Sequence, residues 1–520
     1  MTKDNESEID RSLTILAKGS LIVFIGVFFS KILTYIYKFV IARYFGPEDY
    51  GLFSLALIIA TLFSTLASLG LSEGLLRYAS LYNNKDNLGK VKPLLKFSIV
   101  ISLLSGIIFA TILFLTRKTI ASTIFHDPSL EIYLFYFSLT IPLILISNLF
   151  LSIIKANQKI LRYTFILNIF QNISRLIGIF LMIFIGLKSY AIIGSYLIGI
   201  VSLAAASYFG ARRYISSITH QLDIDSIERK NLKKEFLSYS WPIIFVGFVG
   251  TVLYWVDSLV IGYLMDTTSV GIYGAAFTIV SLLGIAPELF MQMFLPVILK
   301  EYSKGNLGVI NQTSKQVSKW IGLLNIPIFT IMVVFPEVII TLLFGDSYLE
   351  AAASLRILAL GGFFSSFINI NTSLLSMKGK SKSILFTLAA ASLINLVLDF
   401  FLVSIYGIEG AAIATSLVWF LTLAFLSVQV YKSTNIFAAR RKLFSIFLWS
   451  LVPALIVAFL GKYLGSSWIE LFTGIIIYGL LYIIIILLTK NLDKNDYFML
   501  KKISSAIKSK NFKGVFQGAE

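Results

Sequence analysis

The sequence predicts an all-α polytopic membrane protein. It has about fourteen transmembrane helices, arranged as two parallel-repeat six-helix lobes plus two C-terminal helices. Three observations predict this. First, 57% of the 520 residues are hydrophobic and the mean hydropathy is +0.85, whereas soluble domains average about 45–50% apolar. Second, apolar runs of about twenty residues, long enough to span a bilayer, recur along the whole chain. Third, lysine and arginine alternate between connections. Of the 44, 35 lie at the N-terminus, on every second connection and in the C-terminal tail, while only Arg43, Arg117, Lys118, Lys188 and Lys462 lie on the others. That bias places both termini in the cytoplasm. It also explains the net charge of +17 by the anionic inner leaflet, with no nucleic-acid partner.

Residues 1–17 form a polar cytoplasmic leader. The first apolar run is too long for a signal-peptide core and is expected to remain as a membrane helix. The N-terminal lobe, 18–211, carries runs near 18–42, 51–77, 94–116, 131–154, 163–187 and 190–211. A charged cytoplasmic linker, 212–238, follows; Ile215, Ile218, Leu222, Ile227, Leu232 and Phe236 recur among its charges and predict an amphipathic helix along the inner interface. The C-terminal lobe, 239–430, carries runs near 240–264, 271–299, 318–343, 349–377, 383–405 and 409–430, and the segment 431–489 adds runs near 443–463 and 469–489. In the basic cytoplasmic tail, 490–520, Leu500, Ile503 and Ile507 oppose Lys501 and Lys508, which predicts a second interfacial helix.

The lobes resemble one another at a shift of about 220 residues. Val40-Ile41-Ala42 matches Val260-Ile261-Gly262, Gly51 matches Gly271, and Tyr82 matches Tyr302. With one residue of slippage, Asn87-Leu88-Gly89 matches Asn306-Leu307-Gly308, Phe125-His126-Asp127 matches Phe344-Gly345-Asp346, and Glu131 matches Glu350. Further along, Gly186 and Ser195 match Gly407 and Ser416. Six spans per repeat is an even number, so both lobes enter the membrane in the same direction, and a substrate site between them is expected.

Several functions are excluded or disfavoured. The chain has no cysteine, so disulfides, thiol catalysis and Cys-ligated metals are absent. His126 and His220 are far apart in sequence and read as loop residues rather than metal ligands. Gly379-Lys380-Ser381 is a basic turn and not a phosphate-cradling loop, because Leu374 stands where the first glycine of a Walker A must be. The longest outer connection, 116–130, has no room for a catalytic domain, so an enzyme is not expected. Gly70 and Gly74 form a GxxxG pair, which reads as close helix packing.

Chemistry is expected where charge enters the apolar runs, since intramembrane ionisable groups are functional candidates by default. Lys31 and Lys38 are seven residues apart and share a helix face, with Thr34 and Tyr35 between them. Lys31 lies ~18 Å along the helix from Arg43, near the bilayer midplane. Arg175 is similarly deep, and Arg356 is in the outer part of its span. Four cations around a cleft make an anion site; guanidinium suits phosphate by its fork and ammonium by its point charge. The alternative is that they pair with the acids Asp257, Glu288, Asp399, Glu73 or Glu337. Asp257, at the position matching Tyr37, and Asp399 are candidates for binding a coupling H⁺ or Na⁺, or for acting as counter-ions; Glu288 joins them as a lesser candidate. Pro287, Pro296, Pro327 and Pro336 mark the eighth and ninth runs for bending. Tyr35 and Tyr37 are candidates for touching sugar. No other cofactor is expected.

Three stretches carry a family resemblance: RYFGPEDYG (Arg43–Gly51), ASLGLSEGLLRYAS (Ala67–Ser80) and YGIEGAAIATSL (Tyr406–Leu417). They resemble the polysaccharide flippases of the multidrug/oligosaccharidyl-lipid/polysaccharide exporter superfamily, and their order along the spans extends the resemblance over nearly the whole chain. The resemblance implies two six-helix lobes forming a V around a cationic cavity. It also implies transfer of a polyprenyl-diphosphate-linked oligosaccharide from the inner to the outer leaflet by alternating access, without ATP hydrolysis. Lys31, in Ser30-Lys31-Ile32-Leu33, is similar to a first-span position where lipid II flippases carry arginine, and Tyr37 stands at that branch's next arginine position. The departure points to the O-antigen, capsule, teichuronic-acid or archaeal-glycan branches. The implied partners are the lipid-linked oligosaccharide, membrane lipid, and glycan polymerases or glycosyltransferases, with a monomer as the expected state. An ion-coupled multidrug exporter of the same superfamily is the main alternative, but a cationic cavity suits an anionic substrate better. A membrane glycosyltransferase would need larger outer loops, and a scaffold would need no intramembrane cations.

Overall fold

The computed structural model describes residues 3–82, 88–187, 189–220, 225–438, 441–464, 468–489, 491, 492 and 496. They form helices, with no β-strand among the described residues. Contacts divide the chain into two compact units, 29–271 and 272–518, the second including residues 1–28.

In the first unit, α1 (Lys3–Ala67) enters from residue 29 and bends sharply at Gly46, whose φ of 87° and ψ of 178° are non-helical. Pro47 then restarts the helix in the position where its missing N–H costs nothing. Next come α2 (Leu71–Leu81), α3 (Leu88–Thr119), α4 (Leu130–Ser138), α5 (Thr140–Ala156) and α6 (Ile160–Thr164). A π-helical stretch, Phe165–Phe170, leads into α7 (Gln171–Phe184); α8 (Tyr190–Thr219) and α9 (Ser226–Leu264) complete the unit. Leu71, Leu75 and Tyr78 of α2, Leu94 of α3, Ile153 and Ile154 of α5, Leu203 of α8 and Phe236 of α9 share one buried core.

Gly70 and Gly74 do pack closely. A Cβ at Gly70 would stand 2.1 Å from the Ser240 carbonyl oxygen, and one at Gly74 would stand 2.1 Å from Ser240 Oγ. Tyr78 Oη adds a 2.9 Å hydrogen bond to Glu235. These contacts hold α9 in the first unit, so the division falls at 271/272 and not within the charged linker. The linker is no separate interfacial helix either. Its described residues extend α8 and α9, and Ile218, Leu232 and Phe236 are buried in the core shared with α2, α3 and α5, while Ile227 is exposed. Leu222 and the expected tail helix at 500–508 lie outside the described residues.

The second unit contains α10 (Thr267–Val280) from residue 272, α11 (Ile285–Ser303), α12 (Leu307–Val334), α13 (Pro336–Leu343), α14 (Ala351–Ser365), α15 (Ile368–Met377), α16 (Ser381–Thr434), α17 (Arg441–Leu464) and α18 (Trp468–Leu488). Its core joins Phe290 and Phe294 of α11, Val317, Trp320 and Ile321 of α12, Leu374 of α15, and Leu426 and Val430 of α16. The prolines act differently from one another. Pro336 opens α13 after the non-helical Phe335, which breaks the ninth run, whereas Pro296 and Pro327 sit inside continuous helices.

The repeat shows in the backbone. His126 (φ 55°) and its match Gly345 (φ 106°) both take positive φ, as do Gly186 (φ 84°) and its match Gly407 (φ 58°). Gly51 and Gly271, also matched, lie against each other: a Cβ on either would stand 3.0 Å from the other's amide nitrogen.

Among the described residues, ten helices are long and apolar enough to cross a membrane, or eleven with the bent pair α4–α5. Fourteen apolar runs fall on them because two of the longest are each a pair of helices joined at a non-helical glycine, Gly46 in α1 and Gly407 in α16. The first two runs share α1, the eleventh and twelfth share α16, which is bent at Gly407, and the apolar stretch of the last, Phe472–Leu488, is shorter. Large apolar side chains stand outward on these helices; Phe184, for example, is 90% exposed. Such surfaces are stable against lipid and costly in water. The chain is a multi-pass membrane protein.

Candidate functional site

The first unit assembles three of the four expected cations on helices in contact. Lys31, Thr34 and Lys38 recur at three- and four-residue steps along α1, so one face carries all three. Both lysines are half-buried. Thr34 Oγ1 donates to the Ser30 carbonyl at 2.9 Å and accepts from Asn172 Nδ2 of α7 at 3.0 Å. Asn172 also donates to the Asn168 carbonyl at 2.7 Å. Arg175 lies one turn beyond Asn172, on the same face of α7, so the Thr34–Asn172 bond joins the lysine face of α1 to the arginine face of α7.

Arg175 is held from both α7 and α8. Its guanidinium carbon lies 4.9 Å from the centre of the Tyr196 ring, within cation–π range. In the amide orientation that satisfies both ends of Gln171, its carbonyl accepts from Arg175 Nη2 at 2.8 Å and its NH₂ donates to the Leu167 carbonyl at 3.1 Å. Arg175 Nε is buried and makes no hydrogen bond among the described residues. Nearby, the Tyr37 hydroxyl is 3.0 Å from Ser195 Oγ.

Tyr37 is 2% exposed and Tyr35 is 8% exposed. The expectation that they touch sugar is therefore corrected. Both rings are packed inside the unit, Tyr35 stacked on Phe39 and Tyr37 edge-on to Phe53.

The fourth cation differs. Arg356, in the second unit, was expected among the phosphate ligands; instead its Nη2 donates to both oxygens of Glu337, at 2.8 and 3.1 Å, and its Nε donates to the Val333 carbonyl at 3.1 Å. Glu337 opens α13 and Arg356 belongs to α14, and the turn between these helices brings one guanidinium nitrogen to both carboxylate oxygens.

The three acids are also placed. Asp257 is buried in the first unit, on α9. Glu288 sits half-buried in the first turn of α11, in the second unit. Asp399 is fully buried in α16, where Asn395 Nδ2 donates to its Oδ2 at 3.0 Å and also lies 3.3 Å from Thr415 Oγ1. The bend at Gly407 folds α16 back so that Thr415 meets Asn395.

Sequence reading overlooked Asn172, Gln171, Tyr196, Asn395 and Thr415. A signal existed for some of them: an Asn three residues before an intramembrane Arg, and an Asn four residues before an intramembrane Asp, each share a helix face with the charge. It also gave Lys319 no part in the fold. In the structure Lys319 is fully buried on α12 and forms an ion pair with Asp496, which also accepts from Gln316 Nε2 at 2.7 Å and Trp320 Nε1 at 2.9 Å.

Fold and site together define a multi-pass helical membrane protein in which two lysines of α1 and an arginine of α7 lie within one helical unit, on faces joined by the Thr34–Asn172 bond. The family described as polysaccharide biosynthesis protein matches residues 16–300, more than half of the chain, and the chain belongs to that family. A second family, MatE, matches residues 242–401. The chain is similar to a probable low-salt glycan biosynthesis flippase, Agl15, of Haloferax volcanii, at 28% identity over 68% of this chain and 73% of that protein. It is similar to a putative O-antigen transporter of Shigella flexneri, at 21% identity over 72% of this chain and 88% of that protein. Among solved structures, the inward closed conformation of the lipid II flippase MurJ superposes with a TM-score of 0.68, at 20% identity, over 89% of this chain and 98% of that one; this likeness establishes the fold.

Proposed function

We propose that the protein moves a polyprenyl-diphosphate-linked oligosaccharide from the inner to the outer leaflet of the cell membrane, by alternating access, for assembly of a surface glycan. The observation that carries this reading is the cluster of Lys31, Lys38 and Arg175 on the joined faces of α1 and α7. Keeping ionised groups at membrane depth is costly, and a diphosphate is the ligand chemistry that repays three cations at once. Relatives named as O-antigen transporter and glycan flippase support the same substrate class. Arg356 stays outside the site, because its fork already holds Glu337. The protein acts as a transporter and not as a catalyst. Both termini lie in the cytoplasm, a monomer is the working unit, and glycan polymerases and glycosyltransferases are the enzymes that meet its substrate.

Asp399, Asn395 and Thr415 supply side-chain oxygens in a buried setting, which suits H⁺ or Na⁺. In this reading they couple transfer to an ion gradient, and Asp257 serves as a second coupling acid or as a counter-ion to the lysines. The MatE match over residues 242–401 favours a second reading, ion-coupled export of drugs.

The test is translocation in proteoliposomes. A fluorescent polyprenyl-diphosphate-oligosaccharide is followed by its accessibility to an impermeant quencher, for wild type and for Lys31→Ala combined with Arg175→Ala. Flipping by wild type and its loss in a folded double variant is the expected result. Equal flipping by both makes the cations structural and refutes the site. Failure of both to flip, with wild type expelling a cationic dye along an ion gradient, establishes the second reading.

A further inference from the structure

We infer that Gly199, with Gln171 and Tyr196, is the positioning set that presents Arg175 to the substrate diphosphate, so that a glycine on α8 determines phosphate recognition by an arginine on α7. The inference rests on the reading of Arg175 as a diphosphate ligand.

Gly199 is where Arg175 crosses α8. A Cβ on Gly199 would stand 2.3 Å from Arg175 Cγ, 2.7 Å from Nε and 3.0 Å from Cδ. Any side chain at 199 therefore expels the arginine from its present path. Beyond this crossing, two contacts fix the head group. Tyr196, one turn before Gly199 on α8, takes the face of the guanidinium, and Gln171, one turn before Arg175 on α7, takes Nη2. Crossing point, ring and amide fix the position, the plane and the rotation of the fork. Nε remains a buried donor without an acceptor among the described residues. An arginine held in advance loses less rotamer freedom on binding than one that must be ordered by the ligand.

Close helix packing alone does not account for the arrangement. Gly194, on the same helix, is equally tight, but the atoms its Cβ would meet are Met182 Sδ at 2.3 Å and Cε at 2.4 Å, the far end of a flexible side chain. Gly194 thus serves the packing of α7 on α8, whereas Gly199 serves the path of the arginine.

The experiment measures binding of a short-chain prenyl diphosphate, with the matching monophosphate for comparison, to the full-length protein in detergent by isothermal titration. The variants are Arg175→Ala, Gly199→Ala, Gln171→Leu, Gly194→Ala, and Arg175→Ala combined in turn with Gly199→Ala and Gln171→Leu. Arg175→Ala and Gly199→Ala are each expected to weaken diphosphate binding roughly tenfold, the scale of a lost charge-assisted hydrogen bond, and to lower the preference for diphosphate over monophosphate. Gln171→Leu is expected to weaken binding severalfold; it adds no volume in the crossing and keeps the test decisive should Gly199→Ala not fold. Neither change is expected to weaken binding further once Arg175 is alanine, and Gly194→Ala is expected to bind as wild type. Normal binding by both Gly199→Ala and Gln171→Leu beside a weakened Arg175→Ala overturns the inference alone. So does further weakening by either on the Arg175→Ala background, which marks a general packing effect. Wild-type binding by Arg175→Ala instead overturns the reading of the site, and the inference with it.

Discussion

Removing the Asp496 carboxylate tests whether the segment after α18 belongs to the fold of the second unit. Lys319 is 0% exposed and Asp496 4% exposed, and the pair is reinforced by Gln316 and Trp320 donating to the same carboxylate. Two charges this deeply buried have both given up water, so their attraction mostly offsets desolvation, and deleting one partner strands the other. The expected loss for Asp496→Ala is about 3–5 kcal/mol. At about 2–4 °C per kcal/mol for cooperative units of 150–250 residues, the melting midpoint falls by roughly 6–20 °C. Asp496→Asn keeps acceptors for Gln316 and Trp320 but not the charge, and is expected to lose most of the same amount. Lys319→Met combined with Asp496→Leu is expected to be far milder than either single change, because no charge is left behind. The assay is thermal unfolding of the purified protein in detergent, followed by intrinsic fluorescence, where Trp320 reports the site directly. A fall below about 2 °C in Asp496→Ala, on the same scale, refutes the reasoning: Lys319 would then be neutralised by another group, and the tail would be dispensable.

Gly74→Val drives a branched side chain into Ser240 and Phe236 and is expected to destabilise by about 1–3 kcal/mol, read in the same unfolding assay. Gly51→Val and Gly271→Val press on Thr267 and Pro47 backbone oxygens at 1.7 and 2.0 Å; since backbone cannot swing aside, each is expected to reduce yield of folded protein on size-exclusion chromatography more than Gly194→Ala does. Arg356→Gln removes a pair whose side chains are 46% and 49% exposed, so stability is expected to change by less than about 1 kcal/mol, and prenyl diphosphate binding is expected to stay at the wild-type level. Asp399→Asn is expected to leave substrate binding intact and to abolish acceleration of flipping by an imposed proton or sodium gradient in proteoliposomes.

The sequence by itself determined that the chain is a bundle of membrane helices, where those helices lie, and that the chain repeats. These properties are local or additive: twenty apolar residues satisfy their own backbone hydrogen bonds in lipid wherever the rest of the chain goes. Positions matched by a simple shift, such as His126 with Gly345 and Gly186 with Gly407, carry the same unusual backbone sign because turns are set by short-range geometry. The candidate cations were legible too, since charge in an apolar run stands out at once. Their partners were not. Thr34 meets Asn172 across 138 residues, and Lys319 meets Asp496 across 177. Arg356 is bound to Glu337 only 19 residues away, yet the sequence admits that pairing and a phosphate site alike. Helix periodicity says which residues share a face, but not which faces meet. That depends on close packing, where a missing side chain at Gly70, Gly74 or Gly199 decides how near two helices come and what passes between them. The tertiary structure therefore decided which charged faces meet, which charges are paired, and that a glycine stands where Arg175 crosses α8.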